Sequence, residues 1–536
     1  MRRACRIPGV TIESASSVSR RLLACASGLL AAFGALAVAE LAGAAVRPEA
    51  GPVKAVGGWV VDATPAPVKD WAVRQFGTSD KLVLQLCIVM VLSVFAVVHG
   101  LLALRHRRTA VFGSLLFGVT GAAAALGRPD SASWADALPS VVGALAASAL
   151  LYLLAGRLAV SCDSAPGTPA GAGDWDRRGF LIAASAAAAA SAGATVLGRE
   201  LASARSGSAL RSRAAVRLPA SGSPARPVPS GAVLKVPGLK PFITPNKDFY
   251  RVDTALVVPK VDATTWRLRL HGNGVRRPLT LSFEDLLERE LIERDITLTC
   301  VSNEVGGPYV GNARWTGVRL ASLLQEAGVK PPSRGGPADQ LVSRSVDGMT
   351  LGTPVEDVMD GRDAILAVGM NGRPLPFDHG FPVRMVVFGL YGYVSACKWI
   401  EDIELTTFAD YDAYWVRRNW APKAPVKTQS RIDTPKPFAR PKPGTVMVAG
   451  VAWAQHRGID SVEIRVDDGP WKPAALAAEH TTDTWRQWSF PWNATPGSHT
   501  LTVRATDRTG ETQTEMRTRT APDGASGRHS VLVSVG

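Results

Sequence analysis

Cysteine and histidine are both scarce in this chain, which holds six cysteines and eight histidines in 536 residues. No two cysteines form a CxxC pair, which excludes a zinc ribbon and a covalently attached haem. They are also not the even, closely spaced set that frames a small disulfide fold. Only Cys300 and Cys397 fall in the polar half of the chain, and a disulfide between them stays open at this level.

The positive charge is not gathered into one region, although the formal net charge is +14. A nucleic-acid-binding protein concentrates Lys and Arg on one face with aromatic residues between them. Here the basic residues are scattered, or lie at the edges of apolar segments such as residues 105–108. The positive-inside bias at membrane edges, or simple solubility, therefore explains the basic residues, and we expect no nucleic-acid partner.

Long apolar runs are confined to the first two hundred residues, which predicts a membrane anchor followed by a polar half. About 20 apolar residues cross a hydrocarbon core, and five stretches have that length. The histidines near them, His99 and His106, stand at a helix end and in a basic loop. A transmembrane haem usually needs paired axial histidines, so we expect no haem. The predicted spans are residues 21–46, 82–104, 110–126, 137–160 and 180–197.

Basic clusters in short loops predict the orientation, because Lys and Arg prefer the cytoplasmic side. With five crossings, three basic clusters share one side: the N-terminus (Arg2, Arg3, Arg6, Arg20, Arg21), residues 105–108 and Arg177-Arg178. The chain after residue 197 is then extracytoplasmic, and the protein is expected in the plasma membrane. The run from Asp176 to Leu181 resembles a twin-arginine export signal, with an ordinary positive-inside anchor as the alternative.

The remaining chain divides by composition into a linker and two domains. Residues 201–241 are rich in Ser, Ala, Arg, Pro and Gly without periodicity, which predicts a flexible linker after the anchor of residues 1–200. Short alternating strands with occasional helices predict an α+β domain over residues 242–427. Proline-rich punctuation then precedes further alternating strands, which predict an immunoglobulin-like β-sandwich over residues 428–536.

Cys300 is the first candidate for chemistry, because it ends a predicted strand and opens a glycine-containing loop. Backbone amides in such a loop can approach an anion or a cofactor. A lone cysteine is more often a small buried apolar residue, but a thiolate here suits a metal that prefers soft ligands. His379, taken alone, is more often a structural hydrogen-bonding residue than a site residue.

Four segments in order resemble the sulfite oxidase family of molybdenum enzymes. They begin at Thr299-Cys300-Val301-Ser302-Asn303, Ala313-Arg314-Trp315-Thr316-Gly317, Met370-Asn371-Gly372-Arg373-Pro374 and Gly392-Tyr393-Val394-Ser395-Ala396. The third segment continues through His379 to Arg384, and the fourth continues through Cys397-Lys398-Trp399. The sandwich sequence is similar to the dimerisation domain of that family, so a homodimer is expected.

The resemblance implies a molybdenum–molybdopterin cofactor with Cys300 as the protein ligand to the metal. A pterin cofactor that ends in a phosphate needs Lys, Arg and backbone donors, which fits the basic residues of the matching segments. Catalytic roles are implied for Cys300 and Arg251. Cofactor contacts are implied for Phe249, Tyr250, Arg251, Asp347, His379, Arg384, Ala396, Cys397 and Lys398.

Departures from the family pattern concern the substrate. Asp253 stands where the family's first segment has a histidine, Glu304 stands where a cation is expected, and Trp420 takes the place of a tyrosine after Arg417-Arg418. A dianion such as sulfite needs paired cations, which Glu304 would oppose. We therefore expect two-electron redox, with oxygen-atom transfer, on another small substrate.

Electrons must be exchanged with a separate partner, a cytochrome or a membrane subunit, because the haem domain of the animal enzymes has no counterpart in this sequence. The alternatives are sulfite oxidation itself, a cofactor-less membrane binding or sensor module that reuses the fold, and a purely structural cell-envelope protein. Retention of Cys300, His379, Arg384 and Lys398 argues against the binding module.

Overall fold

The computed structural model describes residues 13–47, 50–65, 80–128, 133–158 and 177–536, with a few single positions between them. The chain divides into two compact units, residues 1–207 with 255–257, and residues 208–254 with 258–536. Arg2, Arg3, Arg6 and Asp176, which the sequence analysis used, lie outside the described residues. Two of the six cysteines, Cys5 and Cys162, lie outside them as well.

Among the described residues, five helices are long and apolar enough to cross a membrane, which confirms the predicted number of apolar helices. Their most apolar windows have mean hydropathies between 1.7 and 2.6. The short helix α2 lies between the first two and was not predicted. The described helices are α1 (Glu13–Ala45), α2 (Pro52–Ala63), α3 (Asp80–Arg105), α4 (Arg107–Leu126), α5 (Leu138–Leu158) and α6 (Arg177–Ala215).

Small residues allow the apolar helices to pack closely. A Cβ added to Gly28 of α1 would overlap the carbonyl oxygen of Ala96 in α3, and one added to Gly100 of α3 would overlap that of Ala24. Close backbone approach through small residues is the usual basis of helix packing in a membrane. A larger residue at Gly28 or Gly100 would therefore separate α1 from α3.

Residues 201–241 differ from the predicted flexible linker. Helix α6 continues to Ala215, and Arg213 near its end donates to the carbonyl oxygens of Leu375 (2.6 Å) and Pro374 (2.9 Å). The extended segment beyond it is held along the soluble domains, for example from Leu234 N to Gln487 Oε1 at 2.7 Å. The low-complexity composition concealed this order, because the extended segment makes most of its hydrogen bonds with residues distant in sequence.

The α+β domain contains two sheets with the strand orders β2-β1-β10-β5-β6 and β3-β4-β7-β8, and β9 pairs with β7. The strands are β1 (Arg267–Gly272), β2 (Leu279–Ser282), β3 (Leu291–Thr299), β4 (Val310–Arg319), β5 (Gln340–Ser345), β6 (Thr350–Pro354), β7 (Ile365–Met370), β8 (Arg373–Pro374), β9 (Arg384–Val386) and β10 (Ile400–Thr406). Short helices α7 (Phe283–Leu287), α8 (Leu320–Glu326), α9 (Val355–Met359) and α10 (Gly392–Ser395) connect them. The occasional helices predicted for this domain are present as these short elements.

The C-terminal domain is a sandwich of two four-stranded sheets, β11-β12-β16-β15 and β14-β13-β17-β18, as predicted. Its core includes the fully buried Trp488, Val448 and Val503. The strands are β11 (Gln429–Thr434), β12 (Gly444–Trp453), β13 (Ile459–Val466), β14 (Lys472–Pro473), β15 (Ala475–Leu476), β16 (Arg486–Ala494), β17 (Gly497–Asp507) and β18 (His529–Val535).

Candidate functional site

Cys300 follows β3 directly and begins the loop that joins β3 to β4. Its backbone N–H donates to the carbonyl oxygen of Tyr309 (3.0 Å), and its own carbonyl accepts from Asn303 N (3.0 Å). The Asn303 side chain accepts from Tyr309 N at 2.7 Å and so ties the two ends of the loop together. The thiol is free and its residue is only 8% exposed, so there is no disulfide with Cys397.

Burial raises the pKa of the Cys300 thiol. Hydrogen bonds from Ser302 and the positive charge of Lys398 oppose this shift without cancelling it. The sulfur is therefore protonated at neutral pH when no additional cation is nearby. A metal ion supplies such a charge and deprotonates a coordinating thiol.

Arg384, the first residue of β9, is a buried cation packed on the ring of Trp315. Its guanidinium lies 4.8 Å from the centre of the Trp315 ring, and Nη1 donates to the carbonyl oxygen of His379 at 3.3 Å. Burial lowers the pKa of Arg384 to about 10. Its Nε is buried without a hydrogen-bond partner among the described residues. An unsatisfied buried donor is costly, so this position favours a ligand that accepts hydrogen bonds.

His379 belongs to the same cluster. Its Nε2 donates to the carbonyl oxygen of Asn246 at 3.0 Å, and its ring lies edge-on to Phe249 at 5.6 Å. Burial, followed by the positive charges of Arg384 and Lys398, lowers the pKa of His379 to about 4. The imidazole is therefore neutral at physiological pH, and its Nδ1 is available as an acceptor.

Lys398 and Arg251 converge on the buried carboxylate of Asp253. Lys398 Nζ and Arg251 Nε each lie 2.9 Å from Asp253 Oδ2, and Arg251 Nη1 lies 3.7 Å from Asp378 Oδ1. Burial lowers the pKa of Lys398 to about 8, although Asp253 favours its charged form. Sequence reasoning noted Asp253 only as a departure from the family pattern and missed its role as counter-ion.

Gly380 allows the His379 turn to approach these cations. It has a φ of +106°, and an added Cβ would lie 3.0 Å from Arg384 Cβ and 3.1 Å from Lys398 Cβ. A side chain here would be strained by the backbone angle and crowded by both neighbours. The close spacing of His379, Arg384 and Lys398 therefore depends on glycine at this position.

The other predicted residues surround this cluster. Tyr250 stacks on Phe249 with ring centres 5.1 Å apart, and its pKa is raised by burial and by Cys300. Asp347 accepts from the hydroxyl of Thr254, the neighbour of Asp253, at 3.3 Å. Ala396 is the C-cap of α10, and the carbonyl of Cys397 accepts from Met385 N at 2.8 Å, which joins this segment to β9.

Two departures noted in the sequence have clear positions. Glu304 is exposed in the loop after Cys300. Trp420 packs between aromatic rings, 5.7 Å from the ring of Tyr393 and 5.9 Å from that of Trp415. Arg418, which precedes it closely, lies with its guanidinium 3.6 Å from the ring centre of Tyr414. This part of the domain is rich in aromatic side chains, and one of them engages the guanidinium of Arg418.

Comparisons with known proteins identify the two domains after the apolar helices. The family profile described as "Oxidoreductase molybdopterin binding domain" matches residues 255–415, and a "Bacterial Ig domain" profile matches residues 429–503. Mouse mitochondrial sulfite oxidase is 31% identical over 290 residues, which cover 46% of this chain and 53% of that protein. The oxidoreductase YuiH of Bacillus subtilis is 33% identical over 159 residues, which cover 30% of this chain and 74% of YuiH.

This chain belongs to the sulfite oxidase family of molybdopterin oxidoreductases. It is therefore an oxidoreductase, and the sequence-based assignment is confirmed. The chain spans about half the length of the curated sulfite oxidases that it matches. The sulfane dehydrogenase SoxCD of Paracoccus pantotrophus aligns over 55% of this chain and 82% of its own, with 24% identity and a TM-score of 0.48.

The residues present fit the cofactor that the sulfite oxidase family implies. Among the described residues there is no group of three or more His, Cys, Asp and Glu that would hold a metal by protein ligands alone. A cofactor that brings its own sulfur ligands needs only one thiol, and Cys300 is available. The orphaned Nε of Arg384 and the buried ammonium of Lys398 provide donors of the kind that a phosphate group requires.

Proposed function

We propose that this chain is a membrane-anchored molybdenum oxidoreductase that carries out two-electron redox on a small substrate, with oxygen-atom transfer. The observation that carries the proposal is a free buried thiol, Cys300, in the same matched domain as the buried cations Arg384 and Lys398. Cys300 is the metal ligand. Lys398 and Arg384 would hold the phosphate end of the cofactor.

When bound, the cofactor supplies the two-electron chemistry, and the protein supplies binding, orientation and electrostatics. Cys300 provides a thiolate from a loop whose two ends are tied by Asn303. His379 is neutral, donates Nε2–H to Asn246 and would offer Nδ1 to the cofactor as a hydrogen-bond acceptor. The aromatic neighbours Phe249, Tyr250 and Trp315 exclude water from this cluster.

The charges of the site favour an uncharged substrate over sulfite. Arg251, the cation that the family pattern assigns to substrate, is compensated by Asp253 at 2.9 Å and faces Asp378 at 3.7 Å. Glu304 adds a negative charge to the loop that carries the metal ligand. A dianion gains little from a cation that is already paired, so a neutral oxygen donor such as a sulfoxide is the better candidate.

The anchor places the catalytic domain outside the cytoplasm, in the plasma membrane, and electrons are exchanged with a separate cytochrome or membrane subunit. Five apolar helices and the basic segments between them support this arrangement. The C-terminal sandwich mediates a homodimer. Light scattering of the detergent-solubilised protein tests the dimer, and a monomer at all concentrations contradicts it.

The decisive experiment is molybdenum analysis with electron paramagnetic resonance of the purified full chain. Cys300→Ser is compared with Cys397→Ser, because Cys397 is also free and buried but is not proposed as a ligand. We expect molybdenum in the parent and a pentavalent molybdenum signal that changes only in Cys300→Ser. Sulfite and sulfoxides are then compared as substrates.

Molybdenum absent from exported protein made in a cofactor-competent host would overturn the proposal and favour a binding module. A signal altered equally by both serine variants would leave the family assignment intact but remove Cys300 as the specific ligand.

A further inference from the structure

The strand that leads to Cys300 is held by the sandwich domain. Thr297, three residues before the cysteine, donates its N–H to the carbonyl of Asp483 (2.9 Å), and its hydroxyl accepts from Trp485 N (2.7 Å). Gln455 Nε2 donates to the carbonyl of Thr297 (2.9 Å) and to the hydroxyl of Thr299 (3.1 Å). The end of β3 is therefore fixed by residues more than 150 positions away.

The loop after Cys300 is held by the same domain. Arg431 of β11 donates Nη1 to the carbonyl of Gly307 at 2.8 Å, and its Nε pairs with the buried Asp433 at 2.8 Å. The ring of His529 lies against Gly306, where an added Cβ would overlap it. Arg431 is 5% exposed and Gln455 is 2% exposed, so both contacts are shielded from solvent.

We propose that the sandwich is a structural part of the metal site, with Gln455 and Arg431 as positioning residues that fix Cys300 between two anchored segments. This inference rests on the proposed function, in which Cys300 is the ligand. It gives the sandwich a role beyond mediating association, because residues of the sandwich hold both the strand before Cys300 and the loop after it.

The physical reason is that a ligand's supporting contacts set its orientation and tune the metal. A buried hydrogen bond to a backbone carbonyl is directional, and its loss lets the strand end move relative to the rest of the site. Displacing the Cys300 sulfur by a fraction of an ångström would change its overlap with a bound metal. The electronic signature of the metal should therefore report changes made in the sandwich.

The test compares Gln455→Met with Gln513→Met in the full chain. Both glutamines are buried and both use Nε2 in two hydrogen bonds, but the side chain of Gln513 bonds only within the sandwich. Its Nε2 donates to Gln429 and Gly527, and its Oε1 accepts from Ser430 and Ala505. Methionine preserves volume, and in Gln455 it also removes an oxygen that has no partner among the described residues. Each variant is measured for thermal unfolding, for the g-values of pentavalent molybdenum and for its midpoint potential.

A second readout uses cofactor-free protein and needs no metal. The alkylation rate of Cys300 is measured by peptide mass spectrometry, with Cys397 as the internal standard. We expect Gln455→Met to raise the Cys300 rate about tenfold relative to Cys397, because the strand end opens locally more often. Gln513→Met should leave this ratio unchanged.

Shifted g-values and potential in Gln455→Met, with parent values in Gln513→Met, support the inference. Identical spectra and alkylation ratios in the two variants overturn this inference. The proposed function still stands in that case if the parent protein shows the Cys300-dependent signal. If Gln455→Met does not fold, Arg431→Lys takes its place, since it keeps the charge but loses the forked contact to Gly307 and Asp433. A parent without molybdenum removes both proposals together.

Discussion

Lys398 and Asp253 form an ion pair away from solvent, with Nζ and Oδ2 2.9 Å apart and side chains that are only 10% and 3% exposed. Asp253 also pairs with Arg251, so one carboxylate compensates two cations. The Asp253 carboxylate therefore neutralises cations that would also attract a phosphate group.

Asp253→Asn should therefore destabilise the cofactor-free protein by about 3 kcal/mol, because breaking a buried pair leaves an uncompensated buried charge. Inorganic phosphate should restore part of this loss by supplying an anion to Lys398 and Arg251. Thermal unfolding with and without phosphate measures both effects.

Asp378→Asn is the matched control, because Asp378 is 56% exposed and lies 3.7 Å from the same Arg251. An exposed pair contributes at most about 1 kcal/mol. Equal effects of the two substitutions, or no response of Asp253→Asn to phosphate, would contradict this account of the cation cluster.

Acid should destabilise the soluble domains through His379. Its pKa is about 4 in the folded protein, mainly because of burial, against an ordinary value of 6.5. Between these values the unfolded chain binds a proton that the folded state does not, so stability falls as the pH drops from 6.5 toward 4. The loss between pH 7 and 4.5 is about 2 kcal/mol.

His379→Gln keeps a donor for Asn246 but does not titrate, so it should flatten this part of the pH profile in urea unfolding experiments. His529 has a pKa lowered to about 4 by burial as well and contributes in the same direction. An unchanged slope in His379→Gln would show that the imidazole does not titrate differently on folding.

The parts predicted from sequence are those with a local signal. Apolar length predicted the five helices, and alternation predicted the sandwich. The motif residues Cys300, His379, Arg384 and Lys398 are brought into one region of the soluble unit, as the resemblance implied. Their individual roles stay predictions, because geometry without the cofactor identifies neighbours and not ligands.

The parts that sequence did not predict depend on distant backbone contacts. The contacts of Gln455 and Arg431 with the Cys300 loop end on carbonyl oxygens, which every residue possesses, so no residue pattern marks the acceptor. The order of residues 216–241 has the same origin. Asp253 was visible as a departure, but its pairing with Lys398 requires the fold to bring residues 145 positions apart together.

Gly380→Ala should disrupt the cluster more than Gly372→Ala does. Both glycines have positive φ angles, +106° and +74°, so alanine costs about 1–2 kcal/mol of backbone strain at either position. At Gly372 no atom lies within 4 Å of an added Cβ, whereas at Gly380 it presses on Arg384 and Lys398.

Both variants should lower the unfolding temperature, but only Gly380→Ala should also reduce molybdenum content. Metal analysis of folded protein separates the two effects. Equal metal content in the two variants would show that the spacing of His379, Arg384 and Lys398 is not critical for cofactor binding.

The orientation of the anchor can be tested with alkaline phosphatase fusions, which are active only outside the cytoplasm. Fusions after Gly127 and after Ala202 should be active, and a fusion after His106 should be inactive, because basic residues keep the loop at 105–108 inside.

Replacing Arg177 and Arg178 by lysine preserves the positive charge before the last apolar helix but removes the twin-arginine pair. Loss of activity of the Ala202 fusion in that variant indicates the twin-arginine route, whereas full activity indicates an ordinary positive-inside anchor. An inactive Ala202 fusion in the parent chain would place the catalytic domain in the cytoplasm and contradict the proposed localisation.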